Sequence, residues 1–167
     1  MFLLITPYKF TKFSYLNYEL DIFKEKKISY KKKFYSNNSF GDILLKPTFI
    51  YVKTIQKIID KFDIKGISHI TGGGIAENLQ RVLPKNTGAE ILLDQLSFHK
   101  KNSIFNWLFQ NCKLSQKEML KTFNCGIGMI LIIKRKDLEK FSSFSKKIKQ
   151  PIKVLGKINN KKNIIFI

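Results

Sequence analysis

Residues Ser68–Pro84 read "SHITGGGIAENLQRVLP". The stretch decides the fold because it contains a strand, a turn and a helix in seventeen residues. Ile67 to Ile70 reads as a short strand, and Gly72, Gly73 and Gly74 form the turn after it. Ile75, Leu79, Val82 and Leu83 then recur at helical spacing until Pro84 stops the pattern. Three successive glycines weaken any helix or strand they sit in, so they meet a backbone requirement. At a strand end leading into a helix, that requirement suits a phosphate or carboxylate, which bare backbone N–H groups can approach closely. The triplet fits neither the GxGxxG nor the P-loop pattern, and a tight turn before an amphipathic helix explains it equally.

Working outward, the punctuation stays regular from Gly41. Pro47 precedes a helical pattern with Tyr51, Ile55, Ile58, Ile59 and Phe62 on one buried face, closed by Asp63–Gly66. Ala89–Leu93 is predicted as a strand, and Phe105, Leu108, Phe109 and Cys112 mark a third helix. Ser115 and Glu118 have capping-box spacing for a short fourth. Cys125–Ile133 enters a strand through two glycines, and Leu138, Phe141 and Ile148 fit a fifth helix. Ile152–Ile158 and Ile164–Ile167 are predicted as terminal strands joined by a polar turn, residues 159–163. The expected architecture is α/β (α+β), a layered mixed sheet of four or more strands flanked by helices. Residues 1–40 mix aromatics with lysines, show no sustained period, and read as a degenerate, weakly specified amino-terminal extension to a domain at 41–167.

The chain has 167 residues, 44% of them hydrophobic and 26% charged, which suits a globular core. Its formal charge of +19 is extreme, with 31 basic residues against 12 acidic. Yet Arg occurs only at Arg81 and Arg135, whereas phosphate and groove recognition favours arginine's planar fork. The lysines are spread along the chain, so they read as a solvated surface, with no nucleic-acid partner expected. Two cysteines without a CxxC fit a reducing compartment. The start "MFLLITPYKF" has too short an apolar run for a signal peptide, and no stretch is long enough to span a bilayer. The expectation is a cytoplasmic protein with no membrane partner.

Several polar residues gather around the glycines. Asn78 and Arg81, three apart, share one side of the predicted helix. His69, at the strand end, could carry a proton near a bound phosphate, although an alternating strand would equally bury it in a satisfied hydrogen bond. Cys125 reads as a small buried thiol, since neither histidine has a recognisable relation to it. Tyr51 and Lys53 read as exposed positions of a strand or helix edge, and His99 as an exposed loop residue. No metal-ligating cluster is legible.

Taken together, "LLKPTFIYVK", "HITGGGIAENLQRVLP", "FNWLFQ", "EMLKTFNCGIGM" and "VLGKI" resemble the carboxy-terminal domain of phosphoribosylformylglycinamidine cyclo-ligase, the AIR synthetase of purine biosynthesis. The match is ordered from about Asp42 to Ile158, and "HITGGGxxEN" with "TFNxGIGM" carries its specificity. The resemblance implies ATP-dependent, Mg²⁺-requiring ring closure of formylglycinamidine ribonucleotide to aminoimidazole ribonucleotide. It implies an active cleft lined by His69, Thr71, Gly72, Gly73, Gly74, Asn78 and Arg81, with His69 and Asn78 as the catalytic candidates. Selenophosphate synthetase and thiamine-phosphate kinase share the fold in this superfamily.

Departures accompany the likeness. Phe49 stands where the family motif has arginine, Gln80 replaces a proline, and Lys121 replaces another arginine. An upstream "SNGYSL"-like stretch is matched only at Phe13 and Ser14. The family's amino-terminal domain, with most of the nucleotide site and the dimer core, has no counterpart. The resemblance therefore implies a carboxy-terminal half that works, and dimerises, with a separately encoded amino-terminal half. The alternative is a non-catalytic phosphate-ligand-binding module or a decaying remnant.

Overall fold

The structure is a computed structural model that describes residues 1–7, 16–35, 37–47, 49–150 and 152–167. Phe13 and Ser14 lie outside the described residues. In chain order the elements are β1 (Phe2–Pro7), α1 (Leu16–Glu25), β2 (Lys33–Tyr35), β3 (Asn38–Ser39), α2 (Phe40–Leu44), α3 (Val52–Ile59), β4 (Gly66–His69) and α4 (Gly74–Gln80). They continue with β5 (Gly88–Ile91), α5 (Ile104–Asn111), α6 (Gln116–Thr122), β6 (Ile127–Ile133), α7 (Leu138–Lys147), β7 (Lys153–Asn159) and β8 (Ile164–Phe166). Six strands form one mixed sheet in the order β4-β6-β1-β7-β5-β8, antiparallel except for the parallel pair β5–β8. A small antiparallel pair, β2–β3, stands apart.

Helices cover both faces of the sheet, and β6 shows why. All seven of its residues are buried. Ile130 and Ile132 enter a core with residues of α4, α5 and α6, while Met129, Leu131 and Ile133 enter a second core with Ile58 of α3 and Phe141 of α7. Side chains alternate across a strand, so a strand with cover on both sides reads as a continuous apolar run. The larger core also takes Phe23 and Phe40, whose rings meet edge to face with centroids 5.0 Å apart.

The sheet's middle holds a surprise from the amino terminus. β1 lies between β6 and β7, pairing Leu3 with Ile132 and Gly156, and Leu4 with Leu131 and Val154. Leu3 packs into one core and Leu4 into the other. Residues 2–7, read from sequence as part of an extension, thus belong to the same sheet as residues 66–166. "FLLI" conceals this, because burial on both faces removes the alternation that announces a strand. The terminal strands, joined by the turn at residues 159–163, are not neighbours, since β5 lies between β7 and β8. Of the face expected to be buried along α3, Ile59 is exposed, whereas Tyr51 is buried against Gly128. A Cβ at position 128 would lie 1.8 Å from the Tyr51 hydroxyl, so glycine makes room for that ring.

Candidate functional site

The glycine loop joins β4 to α4, and one side chain fixes its course. Asn78 is 5% exposed. Its Nδ2 donates to the carbonyls of Gly72 at 3.1 Å and Gly74 at 2.7 Å. Thr71 Oγ1 donates to Asn78 Oδ1 at 3.4 Å, and Ser68 Oγ donates to the Asn78 carbonyl at 2.9 Å. Both ends of the Asn78 amide are therefore spent on the loop, which makes it a positioning residue in this arrangement. Buried amides are retained where their hydrogen bonds are met, as here.

Two glycines answer a requirement that other residues could not. Gly73 and Gly74 have φ of +90° and +67°. At Gly74 a Cβ would also sit 2.0 Å from the Leu120 carbonyl of α6. The loop thus passes directly over α6, and this close approach builds the cleft. Gly72, Gly73, Glu77, Glu118, Lys121 and Thr122 line a space of about 530 Å³. A neighbouring groove of about 840 Å³ shares Gly73, Glu77 and Lys121 and extends over Leu120 to Phe166.

The cleft's carboxylates are engaged. Glu77 accepts from Arg81, an ion pair one helical turn apart on the exposed side of α4. Glu118 accepts from the Ser115 backbone N–H at 2.8 Å and its hydroxyl at 2.7 Å, completing the expected capping box. These hydrogen bonds, the hydroxyl's first, hold the Glu118 carboxyl below its ordinary pKa. Among the described residues no group of three or more His, Cys, Asp or Glu side chains gathers to hold a metal.

The sequence-predicted site residues divide. Thr71, Gly72, Gly73, Gly74 and Asn78 come together, with Arg81 at their rim. His69 does not join them. Ser68 points to Asn78, so the next side chain along the strand falls on the opposite face. There His69 is exposed, its ring 6.0 Å from that of Tyr51. Cys125 is buried, burial pushes its thiol far above the ordinary value, and Sγ lies 3.5 Å from the Met119 carbonyl. It is a packing residue, as the sequence suggests. Lys121 was missed as a site residue, although "KTFN" sits in the same quoted motif and follows the capping box by one helical turn.

Comparison with known proteins agrees with this architecture. The model of the AIR synthase related protein family's carboxy-terminal domain matches residues 15–167. A phosphoribosylformylglycinamidine cyclo-ligase from Neisseria gonorrhoeae is 43% identical over 112 residues, 67% of this chain and 32% of that protein. One from Nitrosococcus oceani is 40% identical over 123 residues, 74% of this chain and 34% of that protein. This chain thus spans about a third of the length of these relatives. Among solved structures, thiamine-monophosphate kinase from Stenotrophomonas maltophilia shares the fold, with a TM-score of 0.61 at 12% identity. The likeness covers 99% of this chain and 49% of that one. Among the described residues no helix is long and apolar enough to cross a membrane. The glycine loop, its asparagine clamp and the surrounding fold thus stand in a chain that belongs to the AIR synthase related protein family, as its carboxy-terminal domain.

Proposed function

We propose that this chain supplies the carboxy-terminal part of a phosphoribosylformylglycinamidine cyclo-ligase. The observation that carries the reading is 40–43% identity to proteins of that name. In the proposed reaction ATP phosphorylates the amide oxygen of formylglycinamidine ribonucleotide. The amidine nitrogen attacks that carbon, phosphate departs with the oxygen, and the imidazole ring closes. Such chemistry rests on positioning and electrostatics more than on a covalent nucleophile, which suits a site whose cysteine is buried.

The residues of this chain have definite parts in the proposal. The backbone of Gly72 and Gly73 faces the cleft, Asn78 holds it in place, and the Lys121 ammonium supplies positive charge for a phosphate. Arg81 adds a second cation if it swings from Glu77, an exchange that costs little because surface ion pairs are weak. Glu77 and Glu118 are carboxylates that line the cleft, the kind of group that would hold Mg²⁺ together with substrate phosphates. The nucleotide site, the remaining metal ligands and the dimer are proposed to come with an amino-terminal half.

The test is formation of aminoimidazole ribonucleotide from formylglycinamidine ribonucleotide, ATP and Mg²⁺. It is run with this chain alone and with the amino-terminal two thirds of the Neisseria gonorrhoeae relative fused ahead of it. The proposal expects turnover in the fusion alone. A folded fusion without turnover would contradict it and favour a non-catalytic remnant.

A further inference from the structure

Most of the chain's lysines are scattered, and residues 24–33 are the exception. Six of these ten residues are lysine (Lys24, Lys26, Lys27, Lys31, Lys32 and Lys33), against one acid, Glu25. All six lysines are exposed. The next carboxylate along the chain, Asp42, is spent on capping α2, where it accepts from the Ser39 N–H and hydroxyl. Among the described residues no ion pair reaches any of the six lysines. Lys24, in the last turn of α1, complements that helix's dipole, but Lys31, Lys32 and Lys33 belong to no helix.

Aromatic rings stand among these cations. Tyr30 is 39% exposed and Tyr35 51%. The Tyr30 ring lies 12° from parallel to that of buried Phe23, with centroids 5.0 Å apart. Phe23 in turn meets Phe40 and Trp107, at 5.0 and 5.4 Å. The Tyr30 carbonyl accepts from the Gly41 N–H at 2.9 Å, which ties down the backbone behind the ring. Tyr30 is thus a flat ring with one face set on the core, ring surface left to solvent, and lysines before and after it. This combination suits a single-stranded nucleic acid, whose bases stack on rings and whose phosphates meet ammonium groups. Groove recognition favours arginine, but sequence-independent binding of a single strand asks for charge and a stacking face. An anionic membrane would ask instead for apolar side chains free to insert, and Ile28, the aliphatic residue of the run, is half-buried.

We infer that residues 24–35 form a sequence-independent binding surface for single-stranded nucleic acid. It stands apart from the cyclo-ligase reading, because none of these residues lines the cleft beside the glycine loop. The experiment titrates this chain into a fluorescent oligothymidylate of about 20 nucleotides and reads anisotropy. If about four phosphates are engaged, at about −0.7 in slope for each, affinity should fall about fifty-fold between about 50 and 200 mM salt. The triple variant Lys31→Gln, Lys32→Gln, Lys33→Gln should bind at least about tenfold more weakly at the lower salt. Removing the same charge from α7, with Lys140→Gln, Lys146→Gln and Lys147→Gln, should cost less than about threefold. Tyr30→Leu keeps an apolar contact with Phe23 but removes the ring, and should weaken binding at least about fivefold, while Tyr30→Phe binds as the parent does. Unchanged emission from Trp107, the sole tryptophan, reports an intact aromatic cluster in each variant.

No binding at the lower salt would overturn the inference. So would equal losses in the two lysine triples, which would assign the binding to the chain's overall charge, or parent-like binding by Tyr30→Leu. Tighter binding to polyglutamate or to phosphatidylserine vesicles than to the oligonucleotide would overturn it too, in favour of an acidic protein segment or a membrane.

Discussion

The glycine loop and the Leu45–Val52 segment lie on opposite sides of the end of β4, and they are built in opposite ways. The loop is wired inward. Asn78 holds two of its carbonyls, and Gly74 touches the α6 backbone. The segment faces outward in a stripe of Leu45, Ile50 and Val52, which are 82%, 77% and 59% exposed, while Tyr51 packs inward against Gly128. The difference shows where this chain's own packing acts: the loop's shape is set by its residues, whereas the stripe stands in solvent. Substitutions should therefore be costly in the loop and cheap in the stripe.

Gly74→Ala should have the largest effect. The added Cβ meets the Leu120 carbonyl, and the φ of +67° is strained for alanine. Overpacking and left-handed strain together predict a loss of about 3 kcal/mol, read from urea denaturation. Asn78→Ala comes next, at about 2 kcal/mol, because it leaves two loop carbonyls without their donor. A near-neutral Asn78→Ala would break the contrast, since the loop would then hold its shape without its clamp.

Much of this was legible in the sequence. The strand–glycine–helix unit, the capping box at Ser115 and Glu118, and the buried Cys125 all depend on neighbours within a few residues, where spacing is informative. What escaped depends on the third dimension. β1 lost its alternation to burial on both faces. The side of β4 that His69 occupies was fixed only when Ser68 was seen to meet Asn78. Ile59 fits the helical period of a core residue, yet it faces solvent, because periodicity shows that a face is apolar and leaves open what covers it. Lys121 reaches the cleft through the packing of α6 under Gly74, a contact between residues far apart in sequence.

Between the two regions, Asp63 ties the end of α3 to the sheet. It accepts from Lys65 at 2.5 Å and Lys134 at 2.9 Å. Hydrogen bonds from Lys65 and then Lys134 lower its pKa from 3.8 to about 2. A depressed carboxylate pKa adds stability above the unfolded value, lost as pH falls through the folded one. Asp63→Asn should therefore differ from the parent in urea midpoint at neutral pH. The difference should shrink as pH falls from 3.8 towards about 2. A constant difference across that window would show that the pair contributes nothing through its charge.

Ile50→Asp should be the mildest change, altering the stability of the isolated chain by no more than about 0.5 kcal/mol. Together with the Asn78 result it sharpens the contrast. A large loss at Ile50 would mean that the stripe serves this chain's own core.

In the proposed function, the cleft beside the glycine loop receives the phosphorylated ligand. The most direct test is an amide NMR titration of ¹⁵N-labelled protein with formylglycinamidine ribonucleotide. Saturable shifts centred on Gly72, Gly73 and Lys121, lost in the Lys121→Ala variant, are the predicted result. Saturable shifts elsewhere that leave these three amides unmoved, or none up to millimolar ligand, would contradict the account.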